Sequence, residues 1–320
     1  MENLLTSRVP AAGAGTPLAA WLAARFRYFD EAAWCAEIAA GRVHRNGALA
    51  TATELLATGD QIAYQPPPAA SEVVQPPVPI VHDDPDFVVI DKPAHLVAHA
   101  DGAFAQHTFL HSLAREHNGG QPFHLVHRLD RETSGLLLLA RNAEADALLQ
   151  VQFTTGVVQK HYLAIVHGVL AASAFTIDAA IGPALTSGIA ARRGIRPAGT
   201  AKARPARTEV QVVEQFPAHA LLRLTPLTGR THQLRVHLEH HGHPLVGDKL
   251  YGRSDTEYLE YVQHLKAGGD PTWDCRLGAG RQLLHAAALA FAHPRSGARL
   301  ELEAPLPADF AAFLAIARAR

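Results

Sequence analysis

Over the first 65 residues, apolar runs and the turn-forming residues between them predict two helices, then a hairpin, then a last strand. Thr16-Pro17 pairs an N-cap residue with proline at the first helical position, which predicts a helix that runs to Phe26. Asp30 is placed to cap a second helix and Gly41 to end it. Strands and turns follow: Arg42 to Arg45, the hairpin signal Asn46-Gly47, the turn Gly59-Asp60, and Gln61 to Gln65. This order predicts a small α/β module.

From residue 80 onward, short runs typical of β-strands dominate the pattern. Helical patterns separate only some of them, namely AEADALLQVQF after Arg141-Asn142 and THQLRVHLEHHG from Thr231, whose Gly242 is a natural C-cap. Strand after strand with few crossover helices predicts a large mixed, mostly antiparallel sheet with flanking helices, an α+β class. The predicted strands are Ile80-Val81, Phe87 to Asp91, Gly135 to Arg141, His161 to His167, Glu209 to Phe216, Ala220 to Thr225, Gln282 to Ala292 and Arg299 to Glu303.

A proline-rich stretch, QPPPAASEVVQPPVP from Gln65 to Pro79, separates the two patterns. Proline removes backbone donors and biases its neighbours to extended shapes, so such a stretch is typical of a linker. We therefore expect a small domain over residues 1–65, a linker over 66–79 and a large domain over 80–320.

The charge of the chain is nearly balanced. Its 320 residues carry a formal net charge of −1, which argues against a protein that coats nucleic acid through a global positive field. The segment from Arg192 to Arg207 is a local exception, because its basic residues occur without an acidic one. On composition alone a solvated loop is the commoner interpretation of this segment. Contact between RNA phosphates and residues such as Arg192 and Arg193 is the alternative.

No motif for a membrane anchor, a secretory leader or a bound cofactor stands out. The apolar stretches fall short of the roughly 18 residues that span a bilayer, and the opening MENLLTSRVP lacks the regions of a secretory signal, so we expect a cytoplasmic protein. No phosphate-cradling glycine loop appears, and we expect no cofactor. His237 and His241 share a helical face and could be zinc ligands. The glutamate that zinc peptidases carry directly after the first histidine is missing, however, and we expect no metal.

A charged and polar cluster, HRLDRETSGLLLLAR from His127 to Arg141, runs directly into a buried-looking strand. Asp130 lies between Arg128 and Arg131, whose positive charge would keep its carboxylate ionised, as a nucleophile or base requires. From the residues alone, a structural ion pair at a turn is the commoner interpretation.

The same segment matches HRLDxxTSGLLLxA and so resembles the signature of the RluA-type family of RNA pseudouridine synthases. Three further segments resemble family blocks and occur in the expected order: Ile80 to His99, Gln159 to Gly168 and Leu227 to Gly252. The first of these blocks has His95 where the family usually has glycine. The first 65 residues resemble the S4 RNA-binding domain through GRVHRNG and ATGDQI. Together the two resemblances cover nearly the whole chain.

The resemblance implies roles for individual residues. Asp130 is then the catalytic aspartate, Tyr162 lies beside the target base, and Arg235 pairs with Asp130 to orient its carboxylate and keep it charged. A base inside structured RNA must be flipped out of its stack, and Arg128 resembles the family arginine that takes its place. The implied RNA-binding residues are Arg128, Arg230, Arg192, Arg193 and Arg42.

The implied activity is the isomerisation of uridine to pseudouridine in structured RNA, which needs no metal, nucleotide or redox cofactor. Ribosomal RNA is the expected target, because an S4-like domain is more usual in members that act on large-subunit ribosomal RNA. A tRNA-directed synthase, a non-catalytic RNA-binding protein and a hydrolase that releases free uracil are the alternatives. We expect a monomer. The segment from Ser254 to Gly280 looks longer than the corresponding stretch in compact members. Two interpretations stay open: a substrate-facing insertion and a surface loop.

Overall fold

A computed structural model describes residues 5–26, 29–65, 78–96, 109–270 and 278–319. All of the expected linker except residues 78 and 79 lies outside these ranges, so the linker stays a prediction. The chain forms two compact units, one of Met1–Gln75 with His99–His111 and one of Pro76–Ala98 with Ser112–Arg320.

The smaller unit contains the predicted helices and strands. Asp30 caps the second helix as expected, because its carboxylate accepts a hydrogen bond of 2.8 Å from the Ala33 amide. Asn46 and Gly47 both have positive φ, 50° and 85°, as a two-residue hairpin turn requires. The elements are β1 (Leu5–Arg8), α1 (Leu18–Arg25), α2 (Glu31–Ala39), β2 (Val43–Arg45), β3 (Ala48–Leu49) and β4 (Gln61–Tyr64), in the sheet order β1-β4-β2-β3. The edge strand β1 was not predicted.

The elements from residue 80 onward confirm the large mixed sheet. The strands are β5 (Ile80–Asp83), β6 (Phe87–Lys92), β7 (His124–Leu125), β8 (Ser134–Ala140), β9 (Gln159–His167), β10 (Ala174–Asp178), β11 (Ile181–Pro183), β12 (Arg193–Ile195), β13 (Arg207–Gln215), β14 (His219–Pro226), β15 (Leu284–Ala292) and β16 (Arg299–Glu303). The helices are α3 (Phe109–His117), α4 (Ala143–Thr155), α5 (Gln233–His240), α6 (Asp255–Lys266) and α7 (Ala308–Arg318).

A ten-stranded sheet runs in the order β10-β13-β14-β9-β15-β8-β6-β5, with β16 paired to β15 and β7 to β8. Strands β8 and β15 pair in parallel, whereas the other strand pairs recorded in this sheet are antiparallel. Two parallel strands begin at the same edge of a sheet. The segments that lead into β8 and β15 therefore lie side by side at this parallel seam.

Gly135 allows the close approach at the seam. Its φ is +107°, and a Cβ atom there would lie 2.3 Å from the Ala286 carbonyl oxygen, so only glycine fits. Gly247 is similar, because a Cβ atom on it would lie 1.8 Å from the Arg281 carbonyl oxygen. Two glycines of the family-like blocks thus hold the backbone around the start of β15.

The structure differs from the sequence-based expectation in two places near the seam. Helix α5 begins at Gln233 instead of Thr231, because His232 adopts a left-handed conformation with φ 57° and ψ 21°. The segment from Ser254 to Gly280 is not simply a surface loop, since α6 fills its first half. Ser254 and Glu257 form a capping box at the start of that helix. Residues 271–277 of the segment lie outside the described ranges.

Within the described ranges, every helix is too short or too polar to cross a membrane.

Candidate active site

Asp130 lies in the segment that leads into β8, at the parallel seam. Its Oδ2 accepts a hydrogen bond of 3.0 Å from Nη1 of Arg235, which α5 supplies. About 22% of the Asp130 side chain is accessible, against 10% for Arg235. This is the contact that the family resemblance implies, and it leaves part of the Asp130 side chain accessible.

Arg235 is held from three directions. Its Nε and Nη2 donate to the two carboxylate oxygens of Asp248, at 2.7 and 2.8 Å. Its guanidinium also lies 4.7 Å from the centre of the Tyr251 ring. Burial disfavours the charged form, but Asp248 and Asp130 outweigh it and raise the pKa of Arg235 above its usual range. A permanent, rigid positive charge therefore faces Asp130.

Asp130 is ionised at neutral pH. Burial would raise the pKa of its carboxyl group, but the charge of Arg235, the proximity of His232 and hydrogen bonds from Arg235 and Gln282 together lower it below its usual value. Gln282 leads into β15, so the parallel seam brings it next to Asp130.

His232 is the neutral neighbour of Asp130. Its Nε2 lies 3.9 Å from Asp130 Oδ1, and its Nδ1 lies 2.8 Å from the Tyr251 hydroxyl. Burial, assisted by the charge of Arg235, lowers the pKa of His232 to about 4. The left-handed backbone of His232 is uncommon for a residue with a side chain, and it is what points the ring at the site.

Lys92 braces the segment that carries Asp130. Its side chain is fully buried in β6, and its Nζ donates to the carbonyl oxygens of Pro93, Leu96 and Arg131, at 2.9, 3.2 and 3.2 Å. Burial lowers the pKa of Lys92 to about 7. The amine thus fixes the backbone one residue after Asp130.

Tyr162 lies on β9, opposite Ala286 of β15 and Leu224 of β14. Burial and the negative charge of Asp130 raise the pKa of its hydroxyl, which stays protonated. The structure therefore brings three sequence-predicted residues into one electrostatic group: Asp130, Tyr162 and Arg235.

Arg128, two residues before Asp130, is exposed. Within the described part of the chain its guanidinium has neither a hydrogen bond nor an ion pair with another residue. His127 before it is anchored, since its Nε2 accepts a 3.1 Å hydrogen bond from the Leu138 amide and its ring stacks on Phe153. The Arg128 side chain is thus exposed, while the backbone next to it is held in place by the contacts of His127.

The other predicted RNA-binding arginines divide into two groups. Arg192 is committed to carboxylates, at 2.9 Å from Glu239 and 3.0 Å from Asp255. Within the described residues, Arg193 and Arg230 donate to backbone carbonyls and to no carboxylate. The positive charge of Arg193 contributes to the lowered pKa of His232.

Arg42 belongs to the smaller unit. Its Nε and Nη2 donate to both carboxylate oxygens of Glu37, at 2.6 and 2.7 Å. Its charge is therefore paired within that unit.

Several residues of the site escaped sequence reasoning. Asp248, Lys92 and His232 lie inside the quoted family-like blocks, but nothing in their spacing assigned them a contact, and Gln282 lies outside those blocks. The positions of Gln282 and His232 depend on the parallel seam and on the left-handed turn before α5, and that of Lys92 depends on the pairing of β6 with β8; none of these is a local feature of the sequence.

One group in the described residues, Asp84, Asp86 and His293, has ligand atoms close enough to hold a metal ion. His293 Nε2 already lies 3.1 Å from Asp84, and Asp86 is paired with Arg295 at 2.6 Å. His237, which the sequence offers as an alternative zinc ligand, has Nδ1 2.9 Å from the Thr208 hydroxyl and Nε2 3.0 Å from the Ala179 carbonyl.

Comparison with known proteins places this chain in a family. The sequence profile described as RNA pseudouridylate synthase matches residues 86–240, which include Asp130, Tyr162 and Arg235. A ribosomal large subunit pseudouridine synthase D from Nitrosomonas europaea is 40% identical over 245 residues, which cover 74% of this chain and 64% of that protein. A protein of the same name from Xylella fastidiosa is 34% identical over 321 residues, which cover 97% of this chain and 91% of that protein.

A solved structure supports the same assignment. Human RNA Pseudouridylate Synthase Domain Containing 4 superposes with a TM-score of 0.58 and 30% identity, over 75% of this chain and 93% of that one. The carboxylate at the parallel seam, the matched profile and these relatives agree with one another. The chain belongs to the RluA-type family of RNA pseudouridine synthases.

Proposed function

We propose that this enzyme isomerises uridine to pseudouridine in large-subunit ribosomal RNA, with Asp130 as the catalytic carboxylate. One observation carries the proposal: Asp130 is partly accessible, yet it is kept ionised by a buried arginine that is itself clamped by Asp248.

The reaction breaks the bond between ribose C1′ and uracil N1, turns the detached base, and joins C5 to C1′. The C5 proton is lost and N1 gains a proton, so the product has the composition of the substrate. The carboxylate attacks C1′, adds to C6 of the base, or removes the ribose 2′ proton. All three routes require an ionised Asp130 at neutral pH.

Tyr162 and Arg128 fit the handling of the base. A flipped uracil needs a stacking surface in place of its former neighbours, and the aromatic ring of Tyr162, whose hydroxyl stays neutral next to Asp130, supplies one. Arg128 is exposed and unpaired among the described residues, so its planar guanidinium is available to fill the gap left in the RNA.

The choice of ribosomal RNA rests on the relatives, of which those from Nitrosomonas europaea and Xylella fastidiosa are named for the large ribosomal subunit. We assign residues 1–65 to an S4-like RNA-binding domain, supported by the predicted order of helices and strands in the smaller unit. Arg193 and Arg230 are the phosphate contacts that we favour near the site, because neither is paired with a carboxylate in the described residues. We propose that the enzyme works in the cytoplasm, as its bacterial ribosomal-RNA-modifying relatives suggest, and that it acts as a monomer.

Release of tritium from RNA labelled at uridine C5 tests the proposal. Total RNA from cells that lack this protein serves as substrate, and the wild type is compared with Asp130→Asn. We expect release by the wild type and only background by the variant. The exposed Asp178→Asn on β10 is the matched control and should release tritium like the wild type.

Mapping the modified positions then identifies the RNA. A pseudouridine in large-subunit ribosomal RNA supports the full proposal, whereas one confined to tRNA keeps the chemistry and overturns the target. Free uracil among the products would instead reveal a hydrolase. Equal release by Asp130→Asn and wild type would remove Asp130 from the mechanism.

A further inference from the structure

The segment from Asp130 to Thr133 is tied down beyond what the pairing of Asp130 with Arg235 requires. Glu132 receives most of these contacts. Its Oε1 accepts a 2.7 Å hydrogen bond from Nζ of Lys249, and its Oε2 accepts a 3.2 Å hydrogen bond from the backbone N–H of Gln282. Its carbonyl oxygen accepts a 3.0 Å hydrogen bond from Arg281. The residue two positions after Asp130 is thus fixed through both its side chain and its backbone.

Lys249 is the buried partner in this arrangement. Only 6% of its side chain is accessible, against 15% for Glu132. Its Nζ also donates to the Gly280 carbonyl at 2.6 Å and lies 5.5 Å from the centre of the Tyr261 ring on α6. The ammonium group therefore joins three pieces of the chain: the Asp130 segment, the segment that leads into β15, and α6.

A buried ion pair is weak grounds for a role in stability, because the cost of removing both charges from water offsets much of their attraction. A fixed geometry is what such a pair supplies when each partner has further hydrogen bonds, as Glu132 and Lys249 do. In each of the three routes the position of the Asp130 carboxylate relative to the target nucleotide affects the rate of the reaction, and displacements of about 1 Å cost up to about a hundredfold.

We propose that the buried Glu132–Lys249 pair is a positioning device that holds the Asp130 segment against the start of β15 and couples it to α6. Neither residue touches the substrate. This inference rests on the proposed function of Asp130, whose orientation it explains. It also connects α6, the helix in the 254–280 segment that was not predicted, to the Asp130 segment, because Lys249 contacts both Tyr261 and Glu132.

The test is the double variant Glu132→Gln, Lys249→Met, which removes both charges at nearly constant shape and leaves no unpaired buried charge. Both kcat and KM are measured for tritium release from C5-labelled total RNA of cells that lack the protein. We expect kcat to fall by about ten- to a hundredfold with KM within about twofold, because the carboxylate shifts while the RNA surface is unchanged. Lys249→Arg, which retains the charge, should recover most of the rate.

Two controls separate positioning from stability. Leu302→Ala on β16 removes part of a partly buried side chain away from the site, lowers the melting temperature and should leave kcat unchanged. Glu132→Asp keeps the charge but shortens the side chain, and it serves as the reporter should the double variant not fold, with a lower kcat expected at an almost unchanged melting temperature. Wild-type kcat in the double variant, or in Glu132→Asp if only that folds, overturns the inference while an inactive Asp130→Asn leaves the proposed function intact. An active Asp130→Asn would overturn the proposed function itself.

Discussion

The parallel seam of the large sheet and the small N-terminal unit use arginine in different ways. At the seam Arg235 is buried, with 8% of its surface accessible, and a single guanidinium serves both Asp248 and Asp130. In the small unit Arg42 forms a partly exposed pair with Glu37, and 31% of its side chain is accessible. A charge buried between two carboxylates controls the ionisation of a neighbour, whereas a charge at the surface is screened by water and salt.

The difference concerns chemistry as well as location. Under the proposed function Asp130 must stay ionised next to its substrate, and the buried Arg235, held by Asp248, supplies a fixed positive charge that lowers the pKa of Asp130. RNA phosphates need charges that are free to move toward them, and arginines already bound to carboxylates are poorly suited to that. The unpaired arginines named above, Arg128, Arg193 and Arg230, all belong to the larger unit.

Replacement of Arg235 by methionine should have the largest effect. The variant leaves Asp248 buried without its partner and removes the charge that keeps Asp130 ionised, so we expect a loss of about 3–5 kcal/mol in the free energy of unfolding and no detectable activity. Urea denaturation and tritium release measure the two effects. Arg235→Lys is the matched control. It should recover part of the stability but little activity, because lysine cannot bridge two carboxylates. A stable, active Arg235→Met would contradict the role of the clamp.

Replacement of Gly135 by alanine breaks the seam without changing a charge. The positive φ and the 2.3 Å approach to the Ala286 carbonyl predict a loss of about 3 kcal/mol in the free energy of unfolding. Activity should fall as well, since Asp130 and Gln282 meet through this contact. Gly188→Ala is the matched control, because a Cβ atom there meets nothing within 4 Å. Equal stability of the two variants would show that the seam tolerates a side chain.

The site and its seam differ in how far the sequence could predict them. The eight strands predicted from residue 80 onward, the cap at Asp30 and the order of the family-like blocks follow from local patterns, and the contact between Arg235 and Asp130 follows from the resemblance. Strands β1, β7, β10, β11 and β12 were not predicted. The parallel pairing of β8 with β15 could not be read from the sequence, because it joins residues about 150 positions apart with mostly antiparallel strands around them. Gln282 and Lys249 owe their contacts with the Asp130 segment to that pairing, and Lys92 owes its contact with Arg131 to the antiparallel pairing of β6 with β8, so their roles became visible only in the structure.

A smaller effect is expected from acid pH, which should lower the free energy of unfolding through three buried histidines of the larger unit. Burial lowers the pKa values of His127, His232 and His285 to about 3, 4 and 4 in the folded chain, against about 6.5 when unfolded. Between these values the unfolded chain binds more protons, so stability is full above about pH 6.5 and is lost as the pH falls toward 4. Melting temperatures between pH 7.5 and 4.5 measure the slope. We expect His127→Gln to flatten it, and His240→Gln, at an exposed position of α5, to leave it unchanged. Identical slopes in the wild type and His127→Gln would show that this histidine is not buried in its neutral form.

The smallest effects should come from single arginines that contact RNA, and they sharpen the comparison between the two units. Arg193 has no carboxylate partner in the described residues, so Arg193→Gln should weaken RNA binding and reduce the salt dependence of binding by about one phosphate contact. Arg42 must first break its ion pair with Glu37 before it can reach a phosphate. The Glu37 carboxylate also accepts a 2.7 Å hydrogen bond from the Tyr64 hydroxyl, which holds it in place. Arg42→Gln should therefore change the salt dependence by less than Arg193→Gln does.

Filter binding to total RNA over a series of salt concentrations measures both slopes. Arg318→Gln on α7, which removes a surface ion pair with Glu214 of β13, is the matched control and should not alter the slope. A larger change for Arg42→Gln than for Arg193→Gln would mean that the Arg42 pair opens on RNA. The small unit would then supply phosphate contacts through an arginine that is paired only in the free protein, and pairing in the free protein would no longer distinguish the arginines that bind RNA from those that hold the fold.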